Sequence, residues 1–171
     1  EQQAMLASRI AQGEIPNSLS PATVFQPRIP NTPLQLQTKS GNPIHNLPKA
    51  GPCPKEDDAL AFAPVWKLAQ WLRNRDITSE YLTRLSLKRL KKYNPVLNCV
   101  ISFTEEDALR QAKQADRELA AGNWRGPLHG IPWGAKDIID TAGHPTTWGA
   151  AAYQDRISET NAYVVNKLEL S

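Results

Sequence analysis

Residues 126–149 carry five of the chain's nine glycines and three of its fourteen prolines. Gly126, Gly130, Gly134, Gly143 and Gly149 loosen the backbone where Pro127, Pro132 and Pro145 stiffen it, so the stretch must bend repeatedly. Between the breaks lies a short apolar piece, residues 131–135, long enough for a buried strand. Lys136 follows directly, with Asp137 behind it and Ile138 and Ile139 continuing the apolar run. A lysine among small and apolar neighbours at a strand end is poorly placed to keep its ammonium in water. Desolvation disfavours the charged form, by roughly three to five pKa units when burial is complete. A lysine made neutral in this way is a usable general base. The plainer arrangement has Lys136 snorkelling to the surface beside Asp137 as an ordinary ion pair.

The chain before this stretch divides in two. Residues 1–14 suit a short polar helix ending near Gly13, and nine of the fourteen prolines then fall between residues 15 and 54. Pro16, Pro21, Pro27, Pro30 and Pro33 recur too often for a helix or a central strand. An extended arm is expected, with Leu19, Val24, Phe25, Ile29, Leu34 and Leu36 favouring packing against a larger body. Residues 1–56 therefore read as helix and arm, and residues 57–171 as part of a folded domain.

In that second part Asp57 and Asp58 open a helix carrying Val65, Leu68, Ala69 and Leu72 at helical spacing, ending at residues 74–76. Thr78 caps a second helix with Glu80 in its first turn and Tyr81, Leu82, Leu85 and Leu90 on its buried face. Lys88, Arg89, Lys91 and Lys92 crowd its last turns, where cations suit the helix dipole better than they argue for an RNA-binding patch. Asn94 and Pro95 break the helix, and residues 96–103 form an apolar, β-branched run that predicts a strand. Thr104 with Asp107 three residues on is an approximate capping box for a third helix. Ala108, Ala112, Ala115 and Leu119 give that helix a narrow face, and Gly122 stops it. A loop over residues 150–157 leads to a last helix capped near Thr160 or Asn161, with Ala162, Val165 and Leu168 as its stripe.

With 40% apolar residues and a net charge of +3, the chain is globular and its charge does not call for a nucleic-acid partner. Cys53 and Cys99 lie in unlike contexts and are expected as free thiols without metal-ligand neighbours. No apolar run reaches the ~18 residues that a membrane span needs. The serine-hydrolase elbow Gly-x-Ser-x-Gly, the zinc motif His-Glu-x-x-His and a phosphate-binding glycine loop are all missing. The three histidines are far apart in sequence. His129 and His144 both lie in the central stretch and could meet in space, but without a carboxylate or thiol cluster they are weak grounds for a metal and are expected in structural roles.

Residues 126–137 read Gly-Pro-Leu-His-Gly-Ile-Pro-x-x-x-Lys-Asp, and residues 141–149 read Thr-x-Gly-x-Pro-Thr-Thr-x-Gly. This pattern resembles the front half of the amidase signature family, which includes fatty acid amide hydrolase, malonamidase and the amidase subunit of tRNA-dependent amidotransferases. The resemblance extends more loosely over residues 59–170. It implies an α/β fold, a mixed β-sheet flanked by helices on both faces. It also implies a Ser–Ser–Lys mechanism in which Lys136 draws a proton through a serine in a cis peptide and so activates a second, nucleophilic serine. Both serines belong to a Gly/Ser-rich segment expected beyond Ser171, because Ser158 and Ser171 lack that context. The chain is thus expected to be the front portion of an amidase acting on non-peptide carbon–nitrogen bonds, inactive alone. Asp137 is expected to orient the turn after Lys136, with Thr146 and Thr147 as supporting residues. No cofactor or metal is implied; the expected partner is a small-molecule amide, with no direct nucleic-acid contact and a homodimer allowed. The compartment stays open, cytoplasmic by default. Two alternatives stand beside this reading: the glutamine-hydrolysing subunit of a tRNA-dependent amidotransferase, and a non-catalytic binding remnant.

Overall fold

The computed structural model describes residues 47–171, so the N-terminal helix and most of the proline-rich arm lie outside the described residues. The described part contains α1 (Asp57–Ala61), α2 (Val65–Asn74), α3 (Ser79–Leu97), α4 (Glu105–Ala120) and α5 (Tyr163–Glu169), with a 3-10 turn at Ala151–Tyr153. The single helix expected from Asp57 onward is two. Pro64 stands at the N-cap of α2; it has no N–H to continue α1, but its fixed φ suits a helix start. Arg75, in the left-handed conformation at φ 64°, closes α2. Its N–H and that of Asp76 return to Leu72 and Trp71 at 2.9 and 2.8 Å.

Thr78 caps α3 as expected, its hydroxyl accepting from the Tyr81 N–H at 3.1 Å. The helix does not stop at Asn94 and Pro95 but runs through them to Leu97. Pro95 lies in the last turn, where the hydrogen bond it removes is one of the few left to lose. Asn98 then takes φ 49°, and the Asn94 side chain grips both backbone groups of Val100 at 2.8 and 3.0 Å. Thr104 precedes α4 without a side-chain cap bond. Asp107 turns outward instead, to Arg110 and His144. The last helix begins one or two residues later than expected, after Ala162, because Asn161 is engaged by the Ala142 N–H at 2.7 Å.

Among the described residues there is no strand, so the mixed sheet expected from the resemblance is not present here. Val96 and Leu97 finish α3, and residues 99–103 and 131–136 have no strand partner. The pairing that does form is one isolated antiparallel bridge, Pro145 to Ile157. The physical reason is that β-branched composition marks a segment able to join a sheet, whereas a strand exists through hydrogen bonds to a neighbour. Val96 and Ile101 accordingly stay 82% and 66% exposed.

The core is helical. Leu60, Trp71, Leu72, Ile77, Leu82 and Leu85 form one buried cluster, joined by Leu68, Leu119 and Ile131. Segment 48–51 is fastened over α2 by Trp71 Nε1, which donates to the Gly51 carbonyl at 2.9 Å, and by Gln70, which bonds Pro48 and Ala50 at 3.0 Å. Ala112 and Ala115 are buried where α4 meets α3. Lys88, Arg89 and Lys91 pair with Asp57, Asp58 and Glu105. Cys53 and Cys99 are free thiols, and no helix among the described residues is long and apolar enough to cross a membrane.

Candidate active site

The approach to Lys136 is anchored on α3 and α4. Asp116, on α4, accepts the first two N–H groups of α3, from Ser79 at 2.7 Å and Glu80 at 3.0 Å. One carboxylate thereby satisfies two donors that a helix start leaves unpaired. The buried Ser79 hydroxyl donates to the Gly130 carbonyl at 2.7 Å. Gly130 is at φ +75°, and a Cβ there would meet the Ser79 Cβ at 3.0 Å; only glycine brings the turn this close. His129, 1% exposed, accepts the Arg125 N–H on Nδ1 and donates from Nε2 to the Ala115 carbonyl, both at 3.0 Å. Those partners require the tautomer with hydrogen on Nε2.

Residues 131–136 carry no regular structure, and the Lys136 carbonyl accepts the Ile139 N–H at 2.8 Å to close a turn. Asp137 then organises the loop up to Gly149. Its carboxylate takes the Thr147 N–H at 2.7 Å and the Thr147 hydroxyl, and its carbonyl takes the Trp148 N–H at 2.9 Å. The Thr147 hydroxyl, then the Thr147 and Gly149 N–H groups, hold the Asp137 carboxyl below the usual carboxylate range. Arg156 braces the same loop with a two-pronged pair to Asp140 at 2.7 and 2.8 Å. Its carbonyl accepts the N–H of the buried Thr146 at 3.1 Å. His144 reaches α4 through Asp107 at 3.1 Å.

The structure thus gathers Asp137 and Thr147 in direct contact beside Lys136 and sets Thr146 one residue away, facing inward. Lys136 itself is exposed, contrary to the expected desolvation. Its neighbours Gly134 and Ala135 are small and exposed too, so nothing among the described residues excludes water from it. The plainer ion pair with Asp137 does not form either, because Thr147 occupies that carboxylate. Among the described residues no ion pair involves Lys136. His129 and His144 do not meet: Ala115 and Asp107, their partners on α4, stand about 12 Å apart along the helix axis. Ser158 and Ser171 spend their hydroxyls on the Thr160 and Leu168 carbonyls at 2.9 and 2.8 Å. Asp116, Asp140 and Arg156 are the residues that sequence reasoning missed. Each acts across a long sequence gap, with no periodicity to signal it.

A family model described as amidase matches residues 81–171, just over half of the chain. The chain belongs to the amidase family. Within that family it is similar to AmiD of Mycobacterium tuberculosis, at 33% identity over 66% of this chain and 24% of that protein. It is also similar to a glutamyl-tRNA(Gln) amidotransferase subunit from Azoarcus sp. strain BH72, at 40% identity over 63% of this chain and 22% of that one. Among solved structures, the native peptide amidase from Stenotrophomonas maltophilia superposes with a TM-score of 0.61 at 34% identity. That superposition covers 66% of this chain and 23% of the peptide amidase. The chain therefore spans about a quarter of the length of the amidase relatives it matches.

Proposed function

We propose that this chain supplies the lysine of a carboxamide-hydrolysing amidase that works through a Ser–cisSer–Lys relay. The observation that carries the reading is the turn at residues 136–149, where Asp137, clamped by Thr147 and Trp148, fixes the backbone that presents Lys136. In the proposed mechanism Lys136, once neutral, takes a proton through the cis-peptide serine. The second serine attacks the amide carbonyl, ammonia or an amine departs, and water releases the acid. Asp137 orients the turn, while Thr146 and Thr147 support it. Both serines lie past Ser171 in the native protein, so the 171 residues alone hydrolyse nothing. The segments 99–103 and 131–136, apolar and unpaired here, join a sheet completed by the rest of that protein, which also covers Lys136 and removes its water.

The test is Lys136→Ala in the native protein. A positioned general base contributes on the order of a hundred- to ten-thousand-fold, and amide hydrolysis should fall by at least the lower figure. Unchanged turnover sinks the assignment. The substrate is a small non-peptide amide in this reading, although the neighbouring peptide amidase makes a peptide amide the first compound to try beside it. A second reading draws on the likeness to the glutamyl-tRNA(Gln) amidotransferase, and glutamine hydrolysis stimulated by partner subunits would establish it. A native protein without the two serines would leave a binding remnant. The pairing of Lys88, Arg89 and Lys91 with carboxylates favours no direct nucleic-acid contact, and a homodimer completes the proposal.

A further inference from the structure

Trp148 stands at φ 57°, in the left-handed region that bulky L-residues avoid and glycine enters freely. The loop imposes that conformation. The Trp148 N–H is tied to the Asp137 carbonyl, Thr147 before it is clamped to the Asp137 carboxylate, and Gly149 after it donates to the Thr147 hydroxyl at 3.2 Å. The indole does not fill a core, being 55% exposed. Tyr153 lies beside it with ring centroids 5.7 Å apart and planes inclined at 56°. The Arg156 guanidinium sits over the indole at 5.7 Å, itself fixed by Asp140. An aromatic residue is thus held by its backbone in a conformation that disfavours it, and its anchor is the residue next to Lys136. Strain of this kind gathers where a side chain is used rather than where it packs.

We propose that Trp148, backed by Tyr153, determines specificity at the lysine site by stacking with an aryl group of the substrate amide. The inference rests on the amidase reading above. Aromatic rings meet edge-to-face or offset and gain more than area burial alone would give them. A flexible alkyl chain placed against the same ring lacks that gain. Trp148 therefore selects arylalkyl amides over alkyl amides of similar size.

The experiment compares kcat/KM for phenylacetamide and hexanamide in the native protein and in its Trp148→Ala, Trp148→Gly and Trp148→Phe variants. The wild type should prefer phenylacetamide. The alanine and glycine variants should lose about two- to ten-fold of that preference, chiefly through KM, while phenylalanine keeps most of it. Trp148→Gly also relieves the left-handed backbone, so its thermal midpoint should not fall below that of the wild type. An unchanged ratio in both small variants overturns the inference, as does a lower midpoint in Trp148→Gly with the ratio intact, which marks the ring as packing. Where hydrolysis depends on Lys136 and the ratio does not move, this inference alone fails. Hydrolysis that survives Lys136→Ala removes the amidase reading and this inference together, whereas a native protein that cleaves other amides but neither of these two overturns this inference alone.

Discussion

From α1 to α4 the largest buried side chains are apolar: Leu60, Trp71, Leu72, Ile77, Leu82 and Leu85 close on one another. From residue 126 to residue 159 the buried side chains are His129, Thr146 and Ser158, all polar. The first region is held by burial, which is non-directional and scales with area. The second is held by hydrogen bonds, which fix individual atoms and fail when a single partner is lost. The proton relay proposed for Lys136 would draw on the second kind of support, which fixes individual atoms. The apolar region supplies the fixed base, through Asp116, Ser79 and Ala115, to which the polar region is tied.

The strongest way to sharpen this contrast is to damage the apolar side. Leu72 is 1% exposed, and truncating a buried leucine to alanine costs about 2–5 kcal/mol through lost transfer and the cavity left behind. Leu72→Ala should lower the urea midpoint of the whole chain, followed by far-ultraviolet circular dichroism. A loss confined to residues 126–159 would break the contrast.

Next in size is the joint between the regions. Asp116→Ala strips two N–H groups at the start of α3 of their acceptor, at about 1–2 kcal/mol for a lost cap. Asp116→Asn, keeping one acceptor oxygen, should recover part of it. Gly130→Ala is expected at about 1–2 kcal/mol for the left-handed backbone, with the Ser79 contact at 3.0 Å added. Both are read by urea unfolding. A Gly130 variant as stable as the wild type would mean the turn is not pressed against α3.

The same contrast explains what could be read in the amino-acid sequence. Local signals were legible: Thr78 three residues before Tyr81, the alanines of α4, Gly122 at its end, and the glycine-marked path to Lys136. Pro95, expected to break α3, lies in its last turn, while Pro64, within the single helix expected from Asp57, starts a second one. Residues 96–103 misled because a strand is a property of two segments, and among the described residues no segment pairs with them. The bends of the turn around Lys136 were legible from its glycines and prolines, and within it Asp137 accepts the Thr147 N–H. The Asp140–Arg156 and Asp107–His144 pairs that brace it join residues 16 and 37 positions apart, and no spacing rule finds such partners.

The smallest effect on global stability, and the most selective, should come from acid. Thr147 holds the Asp137 carboxyl below the usual range, and Arg156 does the same for Asp140. With the folded value depressed, the unfolded chain binds more protons between the two values. The stabilisation is therefore full above the ordinary carboxylate pKa of about 4 and is lost as pH falls through the folded value. Asp57, held low by Tyr81 and Lys88, and Glu80, held low by Arg84, follow the same sign. Their partners lie on the surface over an apolar core that protonation leaves in place. Pepsin at pH 3 should therefore cut within residues 131–150 while the helical circular dichroism persists, and Asp140→Asn should open the same stretch to a neutral protease at pH 7. Simultaneous loss of both regions would show that the loop shares the stability of the helices. The polar support around Lys136 would then be as firm as the core, and its hydrogen bonds would be a consequence of packing rather than the means of holding the turn.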